Sequence, residues 1–391
     1  MDNVTHTLVG VALGKTRLGE ISPLARPALI FAANAPDLDL VVQWFGGRSA
    51  YLVHHRGITH SIFGVLVGTA LLTLLFGWLD GVWKRRSARL SKPPDLDSSR
   101  PEVAAALRPA PSFDGSPTNW SGLAVAMFCA LATQPLFDWF NTYGIRPWLP
   151  FDHTWYYGDL ASIIDPWLWL LIGGGACLAG RRSRWGNAFY ALIAIGGFLL
   201  ILGSNRFGAT GARWPILLVW SVGIKALAVS RLGGWGRRRP NLVIGCAAAA
   251  SACYLGFLGW SGAEAWRRFG GELVRQFPAG ESLQRHMWSP EPADPFSWTL
   301  IAETEQAVYR LRISLLGSPG SVQRYPSRLE DPAVRAALLT PEGRAWAYFA
   351  RFPIAEIIHD SPAREVLLLD ARYPVEPPER NWCRMRIALT P

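Results

Sequence analysis

Charged residues are scarce in this chain of 391 residues, at 17% of the total, whereas about 25% is usual for soluble globular proteins. Half of the residues are hydrophobic, 19 are Trp, and the mean hydropathy is +0.15. This shortage of charge excludes an ordinary soluble protein and indicates a membrane protein.

Cysteine is scarce as well, with five residues. Cys129, Cys177, Cys246 and Cys253 lie in apolar runs, where a thiol behaves as a small hydrophobic side chain. Cys383 stands alone in the C-terminal part and has no obvious disulfide partner there. Cysteine usage therefore does not decide the redox compartment.

Long apolar runs predict helices that cross a bilayer, which takes about 20 apolar residues each. The clear runs are 58–79, 120–140, 166–179, 187–203, 214–229 and 242–260, and the weaker ones are 4–13 and 27–45. The first run is not expected to be a signal peptide, because Asp2 precedes it and no basic segment does. We expect about six to eight membrane helices.

The net charge of +10 comes from cations in the connections between these runs. They are Lys15, Arg17 and Arg26; Lys84, Arg85, Arg86 and Arg89; Arg181, Arg182 and Arg184; and Arg231, Arg237, Arg238 and Arg239. The positive-inside rule explains them as cytoplasmic loops. The loops are short and lack interleaved aromatics, so we expect no nucleic-acid partner.

Threading the chain with these loops inside brings the polar candidates together at the opposite face. They are His6, Asp37, Asp39, His54, His55, His60, Asp138, Asn141 and Asp165. Only Lys and Arg entered the topology argument. This convergence therefore predicts a site at the outer membrane–water interface.

The chain divides into a predicted helical membrane domain, 1–260, and a small extracytoplasmic α+β domain, 261–391. Composition becomes more charged after 260, with strands expected at 298–301, 307–315, 366–371 and 382–389 and one or two helices in 331–350. Residues 91–119 are rich in Pro, Ser and Asp and predict a flexible cytoplasmic loop. His286 and His359 are interpreted as ordinary histidines.

Two motifs carry the candidate ligands. Asp37 and Asp39 follow a proline at a helix end, where they could chelate an ion or cap the loop. His-Arg-Gly-Ile-Thr-His-Ser over 55–61 follows His54, so three histidines fall within seven positions. Imidazole and carboxylate suit divalent metals, although the histidine motif could also consist of interfacial polar residues. In this motif, Gly57 would permit a tight turn and Thr59 could cap the next helix.

A third group of candidates ends one apolar run and opens the next. Gln134 and Asp138 are four residues apart and share a helix face, which makes Asp138 a candidate ligand. Asp165 precedes a proline and could be either a helix cap or a site residue.

Several segments of the chain together resemble the YdjM-like inner-membrane proteins. They are Thr-His at 5–6, Pro-Asp-Leu-Asp at 36–39, the 55–61 motif, Leu-Phe-Asp at 136–138 and Thr-Tyr-Gly at 142–144. That family is described as membrane-bound metal-dependent hydrolases, and the resemblance covers roughly residues 1–170. It implies a bacterial inner-membrane location and distant kinship to zinc-dependent phospholipase C and a related nuclease.

The resemblance implies a set of metal ligands for one or two divalent ions, expected to be zinc. The matching positions are His6, Asp37, Asp39, His55, His60 and Asp138. The family usually has His four residues before the helix-end Asp, where this chain has Gln134. One metal position is therefore in doubt.

The leading hypothesis is hydrolysis of a phosphoester, with membrane lipids or a lipid-linked phosphate as the substrate class. Asp39 would ligate metal or act as general base, and Arg56 would stabilise phosphoryl charge. The alternative is a metal-stabilised scaffold whose C-terminal domain recruits an unknown protein. A transporter is disfavoured, because the ionisable residues cluster at one face and do not line the midplane.

Overall fold

The computed structural model describes residues 1–90, 117–203, 213–358 and 364–389. Most of the loop predicted over 91–119, and also His359, lie outside the described residues. Within the described part, the chain is helical up to Val274, and strands follow from Arg285 onward, with two short helices among them. This order of elements agrees with a helical region followed by a smaller α+β region.

The first two helices pack antiparallel and very closely. Helix α1 (Asn3–Leu13) begins after Asp2, whose carboxylate accepts hydrogen bonds from the next helical amides. Helix α2 (Ala25–Asn34) crosses α1 at Gly10, where a Cβ atom would lie 2.7 Å from the Cα of Ile30. The glycine lets the backbones touch, and the start of α1 therefore lies beside the end of α2.

The weaker apolar run 27–45 is divided among three helical segments, with the break at the proline where a helix end was expected. Helix α2 ends at Asn34, a 3-10 helix spans Ala35–Val41, and helix α3 (Val42–His54) follows. Pro36 lies in the first turn of the 3-10 segment, where its missing N–H and fixed φ end the α-helix. The break places the two aspartates in the 3-10 segment.

Seven further helices complete the helical region. They are α4 (Ile62–Leu90), α5 (Trp120–Trp139), α6 (Pro166–Ala179, with a π-helical turn at Trp169–Gly173), α7 (Arg184–Gly203), α8 (Arg213–Gly233), the short α9 (Trp235–Arg238) and α10 (Pro240–Val274). In the described residues, five of these are long and apolar enough to cross a membrane: α4, α5, α7, α8 and α10. That count is below the expected six to eight, because α1 and α6 are apolar but shorter.

Apolar side chains on the outward faces of these helices support a membrane setting. Leu71 on α4, Leu192 on α7 and Leu218 on α8 are each more than 60% exposed. A water-soluble protein rarely exposes continuous apolar faces of this kind, whereas lipid-facing helices require them.

The basic connections meet at one end of the helices. Burial lowers the pKa of Lys15, and the nearby charges of Arg26 and Arg231 lower it further. Arg182 donates a hydrogen bond of 2.8 Å to the carbonyl of Arg231, whose own guanidinium donates to Asn187. Cations from three separate connections therefore lie together at one end of the helices, as the positive-inside rule predicted.

Two antiparallel sheets and two short helices form the C-terminal region. The first sheet has the order β1 (Arg285–Pro290), β2 (Ser297–Glu303), β3 (Ala307–Ser314) and β4 (Val322–Pro326). The second has the order β5 (Pro353–Ile358), β6 (Arg364–Asp370) and β7 (Met385–Leu389), preceded by helices α11 (Pro332–Leu339) and α12 (Pro341–Phe349). The sequence predicted β2, β3, β6 and β7 but missed the other three strands.

The C-terminal region packs directly on the helical region. Helix α10 continues past residue 260 and lies against the first sheet, where Trp298 donates a hydrogen bond of 2.9 Å to Ser261. Leu52 and Tyr143 share a core with Val334 and Trp346 from the two short helices. This contact covers the end of the helical region that lies opposite the basic connections.

Candidate metal centre

Five separate segments bring polar side chains to one buried cluster. The 3-10 helix Ala35–Val41 carries Asp37 and Asp39, and the turn after α3 carries His55 and Arg56. The other members are His60 from the 3-10 helix Ile58–His60, Asp138 near the end of α5 and His6 from α1. All six predicted metal ligands therefore lie in one place, together with Arg56.

The turn that presents His55 is built by its neighbours. Arg56 has a φ of +53°, in the left-handed region that few non-glycine residues adopt. At Gly57, a Cβ atom would lie 2.4 Å from the carbonyl oxygen of His54, so only glycine fits. Thr59 was expected to cap the following helix, but Ser61 does so by accepting a hydrogen bond of 3.0 Å from the amide of Gly64.

Asp39 organises both histidines of the motif. Its Oδ1 atom lies 2.8 Å from Nδ1 of His55, and its Oδ2 atom lies 3.3 Å from Nδ1 of His60. Oδ2 also accepts from the Arg56 amide at 3.0 Å and the Thr59 hydroxyl at 2.8 Å. A carboxylate on Nδ1 fixes the ring orientation of a histidine and directs its Nε2 elsewhere.

His60 lies at the centre of the cluster and is buried. Its Nε2 atom is 3.2 Å from Oδ1 of Asp37 and 3.2 Å from Oδ2 of Asp138. Burial by itself would lower the pKa of His60, but the surrounding carboxylates of Asp138, Asp37 and Asp39 raise it to about 10. The surroundings of this ring therefore favour positive charge.

The carboxylate of Asp39 is held in its charged form. Burial opposes ionisation, but the hydrogen bonds and charges of His55 and His60 outweigh burial and keep the pKa of Asp39 well below its usual range. Burial also lowers the pKa of His55, although Asp39 opposes this. Neutral His55 beside ionised Asp39 has the form in which these groups bind a metal, whereas His60 must release its proton to do so.

Asp138 is completely buried and lies among cations. Its Oδ1 atom is 2.9 Å from Nη2 of Arg56 and 3.4 Å from Nε2 of His6, and it contacts the amino group of Met1. Helix α5 presents this carboxylate at its last turn, after the proline at position 135. Asp138 thus connects α1, the histidine motif and α5.

Two groups of side chains have the ligand types and spacing of a metal site. Asp37, Asp39 and His55 form one, and Asp37, His60 and Asp138 form the other, with the ligand atoms of each group within 4.8 Å of one another. Asp37 belongs to both. Neither ring nitrogen of the buried His6 has a hydrogen bond, and neither does Oε1 of Gln134. These unsatisfied buried atoms and the N/O donor set fit a divalent cation.

The remaining candidates have different positions. Gln134 lies next to His60, with its Nε2 atom 3.5 Å from Nε2 of the ring. Asp165 is a helix cap that accepts from the amides of Trp167 and Leu168 and from the hydroxyl of Tyr254. Burial raises the pKa of Asp165 to about 6. His54 is exposed and belongs to neither group of candidate ligands, whereas Asn141 accepts a hydrogen bond of 2.9 Å from Arg56.

A cavity of about 620 Å³ opens beside the cluster. Asp37, His55 and Arg56 line one part of it, and the rest is largely apolar and aromatic. Its walls include Tyr51, Tyr143, Leu200, Ala293, Tyr373 and Trp382. The aromatic rings are connected, since Trp382 lies 5.6 Å from both Tyr51 and Tyr143 between ring centroids.

Sequence reasoning missed the contribution of the C-terminal region to this cavity. Ala293, Tyr373 and Trp382 come from loops of that region, far from the motifs along the chain. The only hint was the abundance of Trp and Tyr, which bilayer interfaces also explain. The C-terminal region thus forms part of the wall around the candidate centre.

Comparisons with known proteins identify a family model and a curated relative that are similar to this chain. A family model described as YdjM inner membrane protein matches residues 1–207. The chain is also similar to the uncharacterized protein YfhP of Bacillus subtilis (strain 168), with 25% identity over 180 residues. These are 44% of this chain and 43% of the relative, so the chain spans less than half of that curated protein.

No solved structure matches the chain, and the predicted kinship to zinc-dependent phospholipase C stays a prediction. The family match covers more than half of the 391 residues and includes every member of the cluster. The chain therefore belongs to the YdjM inner membrane protein family.

Proposed function

We propose that this protein is a membrane-bound, metal-dependent hydrolase of phosphoesters, with a lipid or lipid-linked phosphate as substrate. The observation that carries the proposal is the pair of histidine–carboxylate groups that share Asp37 at the wall of the 620 Å³ cavity. A buried donor set beside a large, mostly apolar cavity fits an amphiphilic substrate.

One or two divalent ions, most suitably zinc, would be held by these groups. Asp37, His60 and Asp138 would hold one ion, and Asp37 and His55 would contribute to another, with His6 close to Asp138. A bound divalent cation supplies Lewis acidity, which polarises a phosphoryl oxygen and makes water a better nucleophile at neutral pH.

Asp39 is better suited to positioning than to proton transfer. Its two oxygens already interact with both histidines, a hydroxyl and an amide. A carboxylate whose pKa is held this low is a weak general base near neutral pH. We therefore assign it the role of orienting His55 and His60.

Arg56 has the position required to stabilise developing charge on a phosphoryl group. Its Nη1 and Nη2 atoms are fixed by Asn141 and Asp138, both at 2.9 Å, and its guanidinium lies 4.4 Å from the centroid of the Tyr143 ring. The Nε atom has no hydrogen-bond partner, and the residue lines the cavity. A preorganised cation is effective for such charge.

Phosphoesterase activity tests the proposal. Detergent-purified protein is expected to hydrolyse at least one member of a panel of phospholipids and phosphoesters, to lose activity with chelator and to regain it with zinc. Arg56→Lys should lower kcat by about 100-fold, because lysine cannot reproduce the fixed guanidinium. Arg285→Lys, at an exposed arginine paired with Glu303, is the control. A metal-loaded protein without activity on the whole panel would contradict the proposal.

A metal-stabilised scaffold is the second candidate, and Gln134 favours it. This amide occupies the place beside His60 where another imidazole would complete a ligand set. The ligands would then only connect helix ends, and the C-terminal region would recruit a partner protein. The same assay separates the two functions, because a scaffold binds metal without turnover.

We also propose that the C-terminal region is extracytoplasmic, since it packs at the end opposite the basic connections. In bacteria with an opened outer envelope, a membrane-impermeant thiol reagent should label Leu316→Cys, which replaces an exposed side chain of that region. Leu232→Cys, at the basic end, should be labelled only after the inner membrane is opened. The reverse pattern would overturn the orientation.

A further inference from the structure

The first C-terminal sheet has a polar patch on the face turned away from α10. Residues 309–313 alternate Tyr-Arg-Leu-Arg-Ile, so Arg310 and Arg312 share one face of β3. Thr299 lies opposite Arg312 on β2, and Gln323 lies opposite Arg310 on β4. The other face of β3 packs in the core with Tyr309, Leu311 and Ile313.

Arg310 is a buried cation that interacts with the Tyr325 side chain and shares its carboxylate counter-charge with a second arginine. The residue is only 7% exposed, and the Nε atom of its guanidinium group has no hydrogen-bond partner. Glu291 is the carboxylate that acts on its charge, but Glu291 also pairs with Arg312 at 3.2 Å and accepts a hydrogen bond of 2.5 Å from Thr299. Two guanidinium groups thus share one carboxylate, and burying an unpaired charge is costly.

These arginines line two small polar cavities of about 170 and 160 Å³. The first shares Ser162, Ile163 and Tyr373 with the large cavity beside the metal cluster. Arg372 also lines it but is neutralised by Asp370 at 2.8 Å. A continuous set of walls therefore leads from the metal cluster to Arg310 and Arg312, which share the charge of Glu291 in the lining of the first small cavity.

We propose that Arg310 and Arg312, with Thr299, form an oxyanion subsite that holds a phosphate-type group of the substrate. Guanidinium groups bind phosphate oxygens in a two-pronged geometry, and the threonine hydroxyl adds a hydrogen-bonding group. The bound anion supplies a second negative charge beside Arg310 and Arg312. This inference deepens the proposed function and rests on it for the role of the anion, whereas binding itself is measured without metal.

Anion binding to the full chain tests the subsite. Chelator-treated protein in phosphatidylcholine nanodiscs is titrated calorimetrically with inorganic phosphate and with pyrophosphate. A second arm uses nanodiscs that also contain phosphatidic acid, to learn whether a lipid headgroup occupies the site and blocks the soluble anions. Saturable binding in either arm is expected, and Arg312→Ala should weaken it by about 10-fold or more.

Three variants keep the result interpretable. Arg386→Ala is the matched control, because Arg386 also lies on a C-terminal strand and pairs through Nε with a glutamate, Glu365, at 3.5 Å. Arg310→Lys keeps the buried positive charge but loses the two-pronged hydrogen-bonding geometry of the guanidinium group. It should weaken anion binding without unfolding the sheet. The His55→Ala/His60→Ala double variant should bind the anion as the parent does, since it alters only the metal cluster.

Equal binding in the parent, Arg312→Ala and Arg310→Lys would overturn the inference, as would the absence of saturable binding in both arms. Loss of binding in the histidine double variant would place the anion at the metal cluster and would also overturn it. Failure of the phosphoesterase assay alone would leave the anion measurement intact. The two proposals can therefore fail separately.

Discussion

Alanine at both His55 and His60 is expected to remove the bound metal from the purified protein. Each of the two candidate ligand groups contains a single imidazole, His55 in one and His60 in the other. Even loss of an outer-shell partner lowers metal affinity by about 10- to 100-fold, so loss of both rings should lower it further. Elemental analysis of detergent-purified protein is expected to give roughly one or two ions per chain in the parent and none in the variant.

His54→Ala is the matched control for this measurement. His54 precedes His55 directly, but its side chain is exposed and belongs to neither ligand group. Its replacement should leave the metal content unchanged. Equal metal in the double variant and in His54→Ala would show that the histidines are interfacial residues, and a metal-free parent after reloading would remove the basis of the hydrolase proposal.

The sequence predicted which polar side chains would meet, because that information is local. Apolar runs fix where helices cross, and cations in the connections fix which ends lie together. From these two patterns alone, His6, Asp37, His60 and Asp138 were expected at one end, and the structure brings them within contact of one another. Their role as ligands stays a prediction.

The sequence did not predict the internal geometry of the cluster. The expectation that Asp39 ligates a metal or accepts a proton stays a prediction, and the structure gives Asp39 the further role of contacting the Nδ1 atoms of two histidines. That role depends on the left-handed turn at Arg56 and on the 3-10 segment after Pro36. Both are deviations from regular helix that periodicity does not reveal.

The contribution of the C-terminal region to the wall of the cavity was not predicted from the sequence, for a different reason. Tyr373 and Trp382 reach the cavity through the packing of two sheets, and strand pairing over long sequence distances leaves no signature at either residue. Arg310 illustrates the same limit. Alternating arginines on a strand predict a solvent-exposed face, and only the tertiary contact shows that one of them is buried.

Asp138→Asn is expected to destabilise the protein strongly even when metal is absent. The Asp138 carboxylate is buried and lies beside the guanidinium of Arg56, the ring of His60 and the amino group of Met1. Asparagine keeps the shape but removes the charge, which leaves buried cations unpaired. Removing one partner of a buried ion pair costs about 3–5 kcal/mol, and the free energy of unfolding in chelator-treated micelles, followed by Trp fluorescence, measures it.

Asp165→Asn separates this effect from a general sensitivity of buried carboxylates. Asp165 is also buried, but its partners are two backbone amides and the Tyr254 hydroxyl, with no cation among its hydrogen bonds. Asparagine is as good a helix cap as aspartate, so the stability should change by less than about 1 kcal/mol. If Asp138→Asn were as stable as the parent without metal, Asp138 would be a ligand only, and the ion pair with Arg56 would contribute nothing to the fold. A large loss in the metal-free state would instead show that the same carboxylate holds α1, the histidine motif and α5 together before any metal binds.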